Sequence, residues 1–346
     1  MGAAAQGLTR GPAGLPLCHN GGFARRTTIA RIAFIGQQDF GKAVLDAFIA
    51  RGDTIAGVFC IPDKPGAKPD ALKQDALSLG LPVFTFASLR SKEAEQAMRS
   101  LDADLGIMAY VLQFAPQAFI NIPRHGTIQF HPSLLPQHRG PSSISWPIAL
   151  GATRTGITVF RPTDGLDEGP VLLQKTCDIG PHETLGEVYF NKLFPMGVQA
   201  LLEAADIVMA GRHEERPQDE SQASYEGWMH DPECEVHWPQ HVRLVYDLIR
   251  ACNPAPGAWT VLGGEKVRLY DCRMHVSPRY VAGHRPGDIA HVGEDSITVW
   301  CQGGMIEVLK LRPEGGAKVG AGEFARSRGL VSGTAAAAAA VPPAPR

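Results

Sequence analysis

From about Thr28 to Ala210 the chain alternates short apolar runs with amphipathic stretches of helical period, and this constrains its fold more than any other feature. "IARIAFIG" and "KAVLDAFIARG" form the first strand–helix pair. Strand "TIAGVFC", helix "PDALKQDALSLG", short strand "PVFTF" and helix "SKEAEQAMRSL" follow, then strands "ADLGIMA" and "GTIQFH". Strands returning through helices to one sheet become parallel neighbours, so the pattern specifies a Rossmann-like, open, mostly parallel α/β sheet. A long helix, "LGEVYFNKLFPMGVQALLEAADIVMAG", closes this unit, and Pro195 is expected to kink it or split it in two.

Beyond that point the pattern changes. "RHEERPQDESQA" is polar and reads as a linker, placed at 212–220 between a first domain at 29–211 and a second at 221–326. In the second domain, short strands such as "KVRLYDCRM", "SITVWC" and "MIEVLKLR" lie between Gly- and Pro-rich turns, which predicts a small, OB-like β-barrel. Residues 1–28 carry Arg10, Arg25 and Arg26 with no acidic residue or serine, and are read as a disordered extension. The tail 327–346, with "GTAAAAAAVPPAPR", is read as unstructured.

No apolar run approaches the roughly 18 residues that read as a membrane span. Seven scattered cysteines, never spaced C-x-x-C, point to free thiols in a reducing, cytoplasmic setting rather than to a disulfide framework or a zinc site. The formal net charge of −2 gives no global attraction to nucleic acid or anionic lipid.

"IGQQDFGKAV" has Gly36, Gly41 and Lys42 at P-loop spacing directly after the first strand. The chemistry does not follow the spacing. Ala43 stands where a Mg²⁺-binding hydroxyl belongs, Asp39 places a negative charge where phosphates would lie, and the glycines miss the dinucleotide pattern. The glycines then serve a tight turn and close packing of the helix on the sheet.

In an open α/β sheet, ligands bind beyond the carboxyl ends of the strands. Two such ends carry chemistry: "MAYVLQFAP", and "FHPSLLPQHRGPSS" with His131, Ser133, Leu134, Leu135 and Arg139. A polar loop, "RPTDGLDEGPVLLQ", adds Asp164, Asp167 and Glu168. A histidine with a carboxylate from another loop is the minimal acid–base pair, the carboxylate orienting the imidazole and stabilising its protonated form. On spacing alone, a hydrogen-bonded structural histidine and a turn-forming aspartate remain open readings.

"FHPSLLPQHRGPSSISWPI" with "TDGLDEGPVLLQ" resembles the folate-dependent formyltransferase family, which includes methionyl-tRNA formyltransferase. "IGQQDFG", "VFCIPDKPGAKPDAL", "LQFAP" and "YEGW…HW…IRACNPAPGAW…HRPG" resemble in particular the hydrolase domain of 10-formyltetrahydrofolate dehydrogenase, over roughly residues 30–325. The resemblance implies a formyltransferase fold and 10-formyltetrahydrofolate as formyl donor, with no metal. It implies His131 as the catalytic histidine and Asp167 as the essential aspartate. Gln113, Phe114 and Ala115 match the segment that holds the pterin, and Ser133, Leu134, Leu135 and Pro136 the loop beside the folate. Gln129 stands where many members have Asn, so an amide remains for the formyl oxygen on a side chain one methylene longer. His237 and His241 in "HWPQH" lack the H-E-x-x-H glutamate and read as structural.

Three acceptor readings follow: an amino group, most familiarly that of methionyl-tRNA; water, giving formate and tetrahydrofolate; or none, in a folate-binding protein without turnover. A tRNA partner calls for positive surface. Residues 221–325 hold 10 Lys plus Arg against 13 Asp plus Glu, although Arg268, Arg273, Arg279 and Arg285 can gather locally. Lys64, Lys68 and Lys73 are offset by Asp63 and Asp70. The carrier and aldehyde-oxidising domains that complete the dehydrogenase reaction are not expected in this chain.

Overall fold

The computed structural model describes residues 29–277 and 283–337; the stretches 1–28 and 338–346, expected to be unstructured, lie outside the described residues. The first lobe runs β1 (Arg31–Gly36), α1 (Gln38–Arg51), β2 (Thr54–Cys60), α2 (Ala71–Ser78), β3 (Val83–Thr85), α3 (Lys92–Ser100) and β4 (Leu105–Ala109). It continues with α4 (Gln117–Ile120), β5 (Thr127–His131), α5 (Ser145–Ala149), β6 (Arg154–Phe160), β7 (Val171–Asp178), α6 (Leu185–Val188) and α7 (Phe194–Met209). One seven-stranded sheet results, in the order β3-β2-β1-β4-β5-β6-β7. Strands β1 to β5 pair in parallel, and β6 runs antiparallel to both β5 and β7.

Strands β1 and β2 expose only their first residue and β4 none, as continuous apolar runs must when helices cover both faces. Phe40, Leu45 and Leu72 of α1 and α2 pack on one face with Ala200, Leu201 and Val208 of α7. Ala94 and Met98 of α3 cover the other face with Phe119 and Ile120 of α4. The order reverses between β1 and β4, which opens a crevice at their carboxyl ends. Gly36 is required there: a Cβ on it would lie 2.4 Å from the Ala109 carbonyl oxygen. Lys42 is tied to Asp46 at 2.8 Å and to Asp75 at 2.9 Å, so the P-loop spacing holds no phosphate-binding cation.

One expectation needs correction, and a second, the division of the long helix, is met. The stretch "VLLQ", expected within the polar loop, lies in β7, and "TGITVF" directly before that loop forms β6, so the polar loop spans only 161–170. The expected long helix divides: a π-helical segment, Tyr189–Leu193, joins α6 to α7, and Pro195 sits in the first turn of α7, where its missing N–H costs nothing.

The second lobe starts with α8 (Val242–Ala251), a helix the sequence reading missed. Val242, Val245, Tyr246 and Ile249 give it a buried stripe at helical spacing, and the His241 side chain caps it by accepting from the Arg243 amide at 3.3 Å. Strands β8 (Ala258–Leu262), β9 (Glu265–Leu269), β10 (Cys272–Val276), β11 (Ile289–Val292), β12 (Ile297–Cys301), β13 (Gly304–Val308), β14 (Lys310–Pro313) and β15 (Val319–Gly320) follow. The helix α9 (Ala321–Ser327) and the strand β16 (Ala336–Ala337) complete the lobe. Two antiparallel sheets, β10-β13-β12-β11 and β15-β14-β9-β8-β16, make a small barrel. The tail expected to be unstructured from 327 is folded as far as 337, because β16 pairs with the edge of β8 and Leu330 is buried.

Candidate active site

Strand β5 ends at His131, which is 6% exposed, and the turn "PSLLPQHRG" folds back over it. Nε2 of His131 lies 2.9 Å from the carbonyl oxygen of His138. A carbonyl only accepts, so the neutral ring carries its proton on Nε2 and leaves Nδ1 as the basic nitrogen. Nδ1 faces Oδ2 of Asp167 at 3.6 Å, a gap longer than a good hydrogen bond. Oδ2 in turn accepts from the Gly140 amide at 3.0 Å. Asp167 stands at φ 55° and His138 at φ 57°, left-handed conformations that non-glycine residues adopt seldom and often at functional sites. Tyr110, just past β4, has φ 60° and lies near Tyr189. Burial pushes both phenols upward, so they are neutral hydrogen-bonding groups at ordinary pH.

The three acids of the 161–170 loop separate cleanly. Only Asp167 reaches His131; Asp164 accepts from the Gln117 amide at 3.1 Å, and Glu168 from the Tyr225 hydroxyl at 2.8 Å. Gln129, half-buried two residues before His131 on β5, projects to the same face of the sheet as the histidine. The Gln113 amide donates to the carbonyls of Phe86 at 2.8 Å and Ala87 at 3.2 Å, joining the loops after β3 and β4. Phe114 is 43% exposed beneath the Arg90 guanidinium, 4.3 Å from the ring centre, and Ala115 is buried.

In the "SLLP" loop, Ser133 is fully buried and its hydroxyl donates to the Gln137 carbonyl at 2.7 Å, so it shapes the loop from beneath. Leu135 is buried with its amide on the Thr158 hydroxyl, Leu134 is half-buried, and the Pro136 carbonyl accepts from the Ser224 amide. Arg139, noted in the sequence as an available cation, is fully buried and paired with Glu220 at 2.7 Å. No sequence pattern marks the His138 carbonyl or the Gly140 amide, because backbone groups leave no residue signature. The segment 212–220, expected as a linker, is pinned: Arg216 exchanges two backbone hydrogen bonds with Val171.

Arg268 is bound to Asp231 at 2.7 Å and Arg273 to Glu307 at 3.6 Å, which divides the candidate basic cluster; Arg279 lies outside the described residues. Lys73 is bound to Asp63 at 2.5 Å. Among the described residues no group of His, Cys, Asp and Glu is arranged to hold a metal, and no helix is long and apolar enough to cross a membrane.

A doubly wound sheet with a buried histidine–aspartate pair at its strand ends, joined to a small antiparallel barrel, defines a two-domain α/β protein with titratable groups where open sheets of this kind bind ligands. Residues 30–205 match the formyl transferase family and residues 229–329 the formyl transferase C-terminal domain, and the chain belongs to this family. It is 39% identical over 252 residues to the mitochondrial 10-formyltetrahydrofolate dehydrogenase of Mus musculus, a match covering 71% of this chain and 27% of that protein. It therefore spans about a quarter of the length of that relative. It is 33% identical over 298 residues to the methionyl-tRNA formyltransferase of Geobacter metallireducens, covering 85% of this chain and 94% of that enzyme. Among solved structures, HypX of Aquifex aeolicus in complex with tetrahydrofolic acid shares the fold at TM-score 0.62 and 18% identity, over 87% of this chain and 48% of HypX. The N-formyltransferase of Helicobacter canadensis in complex with folinic acid and dTDP-3-aminofucose shares it at TM-score 0.62 and 13% identity, over 81% of this chain and 99% of that one.

Proposed function

We propose that this protein moves the formyl group of 10-formyltetrahydrofolate to an amino group, in the manner of a methionyl-tRNA formyltransferase, with His131 and Asp167 as its acid–base pair. The observation that carries the reading is the pinned imidazole: Nε2 is held by the His138 carbonyl while Nδ1 faces Asp167. The acceptor nitrogen attacks the formyl carbon and gives a tetrahedral oxyanion, for which the Gln129 amide is the neutral donor on the same sheet face. Nδ1 takes the proton leaving the attacking nitrogen and returns it to N10 of the folate as the carbon–N10 bond breaks. The ring is then doubly protonated only between these steps, facing the Asp167 carboxylate. Gln113, Phe114 and Ala115, with the loop from Ser133 to Pro136, hold the folate; Ser133 contributes through the loop's shape, its hydroxyl being bonded inward.

The near full-length match to the Geobacter enzyme supports an amine acceptor. Water as acceptor, giving formate and tetrahydrofolate, is the second reading. It is favoured by the acidic balance of the second lobe, its paired Arg268 and Arg273, and the higher identity to the dehydrogenases. The test is tetrahydrofolate release by the purified protein with and without methionyl-tRNA. Release that depends on the tRNA and deposits formyl on it supports the first reading. Release with free formate and no acceptor supports the second, and folate binding without release in either case overturns both.

A further inference from the structure

Asp167 depends on a segment the sequence marks only as a spacer. Its left-handed backbone is unfavourable for an aspartate and persists only where the surroundings over-determine it. Part of that determination comes from within the lobe, through the Gly140 amide on Oδ2. The rest comes from Gln218, 51 residues further along the chain: its Nε2 donates to the carbonyl of Asp167 at 2.8 Å and to that of Gly169 at 2.7 Å.

Gln218 is itself fixed from the far side. Its Oε1 accepts from Arg139 Nε at 3.1 Å and from Nη2 at 2.8 Å. The Arg139 guanidinium also binds Glu220 through both terminal nitrogens, at 2.9 and 2.7 Å, and meets the Tyr225 hydroxyl. That hydroxyl donates to Glu168, the residue after Asp167. A guanidinium with no exposed surface must have its donors satisfied, so Arg139 locks these partners into one arrangement. The backbone follows: the Arg139 amide donates to the Ser224 carbonyl at 2.9 Å, and the Glu226 amide to the Arg139 carbonyl at 3.1 Å. Gly140, at φ 105°, leaves room for this crossing, because a Cβ there would lie 2.3 Å from the Glu226 carbonyl oxygen. Glu226 then binds His138 Nδ1 at 3.1 Å, and His138 is the residue whose carbonyl holds His131. Both members of the acid–base pair are thus braced from the same segment.

We propose that residues 216–226 form a strap that sets the geometry of the active site, with Gln218 as the positioning residue for Asp167. The proposal rests on the reading of Asp167 and His131 as the acid–base pair. Gln218→Glu separates the two contacts: the carboxylate keeps its partner Arg139 but presents oxygens, not an N–H, to the two carbonyls. Because displacement of a catalytic group by about 1 Å can cost about a hundredfold, kcat is expected to fall roughly tenfold to a hundredfold in this variant. KM for 10-formyltetrahydrofolate stays within about twofold, because the folate-holding segments are untouched. The pH profile of kcat is displaced, and the ¹⁵N shifts of the His131 imidazole move as Asp167 does. An unchanged kcat, pH profile and imidazole spectrum overturns the strap, as does a variant that loses only thermal stability. Should the wild-type protein turn over no 10-formyltetrahydrofolate, the functional reading fails by itself. The imidazole shifts then decide the strap alone: movement in Gln218→Glu sustains it and identical spectra overturn it.

Discussion

At the scale of single residues, the site is defined by which groups have already spent their hydrogen-bonding capacity. His131 has committed Nε2 to a carbonyl, so Nδ1 is the nitrogen left to accept a proton. Ser133 and Arg139, both attractive ligands on paper, are consumed by the fold. Gly36 shows the same economy in space, its missing Cβ allowing β1 to pass the end of β4. Gly36→Ala forces that carbonyl or the strand to move, and overpacking of this kind is expected to cost about 1–3 kcal/mol in urea denaturation. A variant as stable as the wild type would show that the crevice floor is softer than its packing indicates.

At the scale of elements, the sequence was most legible where one physical signal acted alone. The runs "TIAGVFC" and "GTIQFH" gave β2 and β5 because continuous apolar strands between helices have few alternative readings. Strands β6 and β7 were missed because they lie beside a Gly- and Asp-rich loop whose turn signals masked "TGITVF" and "VLLQ". The helix α8 was missed for a different reason: its neighbours all read as barrel, although its own apolar spacing was helical. His131 and Asp167 were legible by resemblance and are found together, whereas their braces, a carbonyl, an amide and a distant glutamine, carry no local pattern. The fold beyond residue 326 was hidden by low-complexity composition. Leu330 is 7% exposed, and Leu330→Ala is expected to destabilise the second lobe by about 2–5 kcal/mol. A change below about 0.5 kcal/mol, within the range of surface substitutions, would mean that the closing turn contributes little to the barrel.

At the scale of the whole molecule, the two lobes meet through both apolar and polar contacts: Ala251 of α8 is buried in the core of the first lobe, and Trp146 and Ala149 of α5 pack against the core of the second. The Arg250 guanidinium donates to the Glu183 carbonyl at 3.0 Å, the Gly186 amide donates to the Asn253 carbonyl, and the strap crosses between the lobes. Electrostatic support of the second lobe includes Asp231, where hydrogen bonds from Lys266 and Arg268 hold the carboxyl below its ordinary value of 3.8. The folded-state value is the depressed one, so this contribution is complete above pH 3.8 and is lost as the pH falls through the lower, folded value. Asp231→Asn is therefore expected to flatten the acid limb of the stability–pH curve while leaving its slope near neutrality unchanged. An acid limb identical to that of the wild type would place the titration elsewhere.

The most direct measurement is the rate of tetrahydrofolate release from 10-formyltetrahydrofolate by the wild-type protein and by Asp167→Asn, each with its folate affinity determined in parallel. The account requires turnover in the wild type and a loss of about 10²–10⁴-fold in the variant, the range of a positioned acid–base group, with folate still bound. Equal rates in the two proteins, or a loss explained wholly by weaker folate binding, would contradict an acid–base pair of His131 and Asp167.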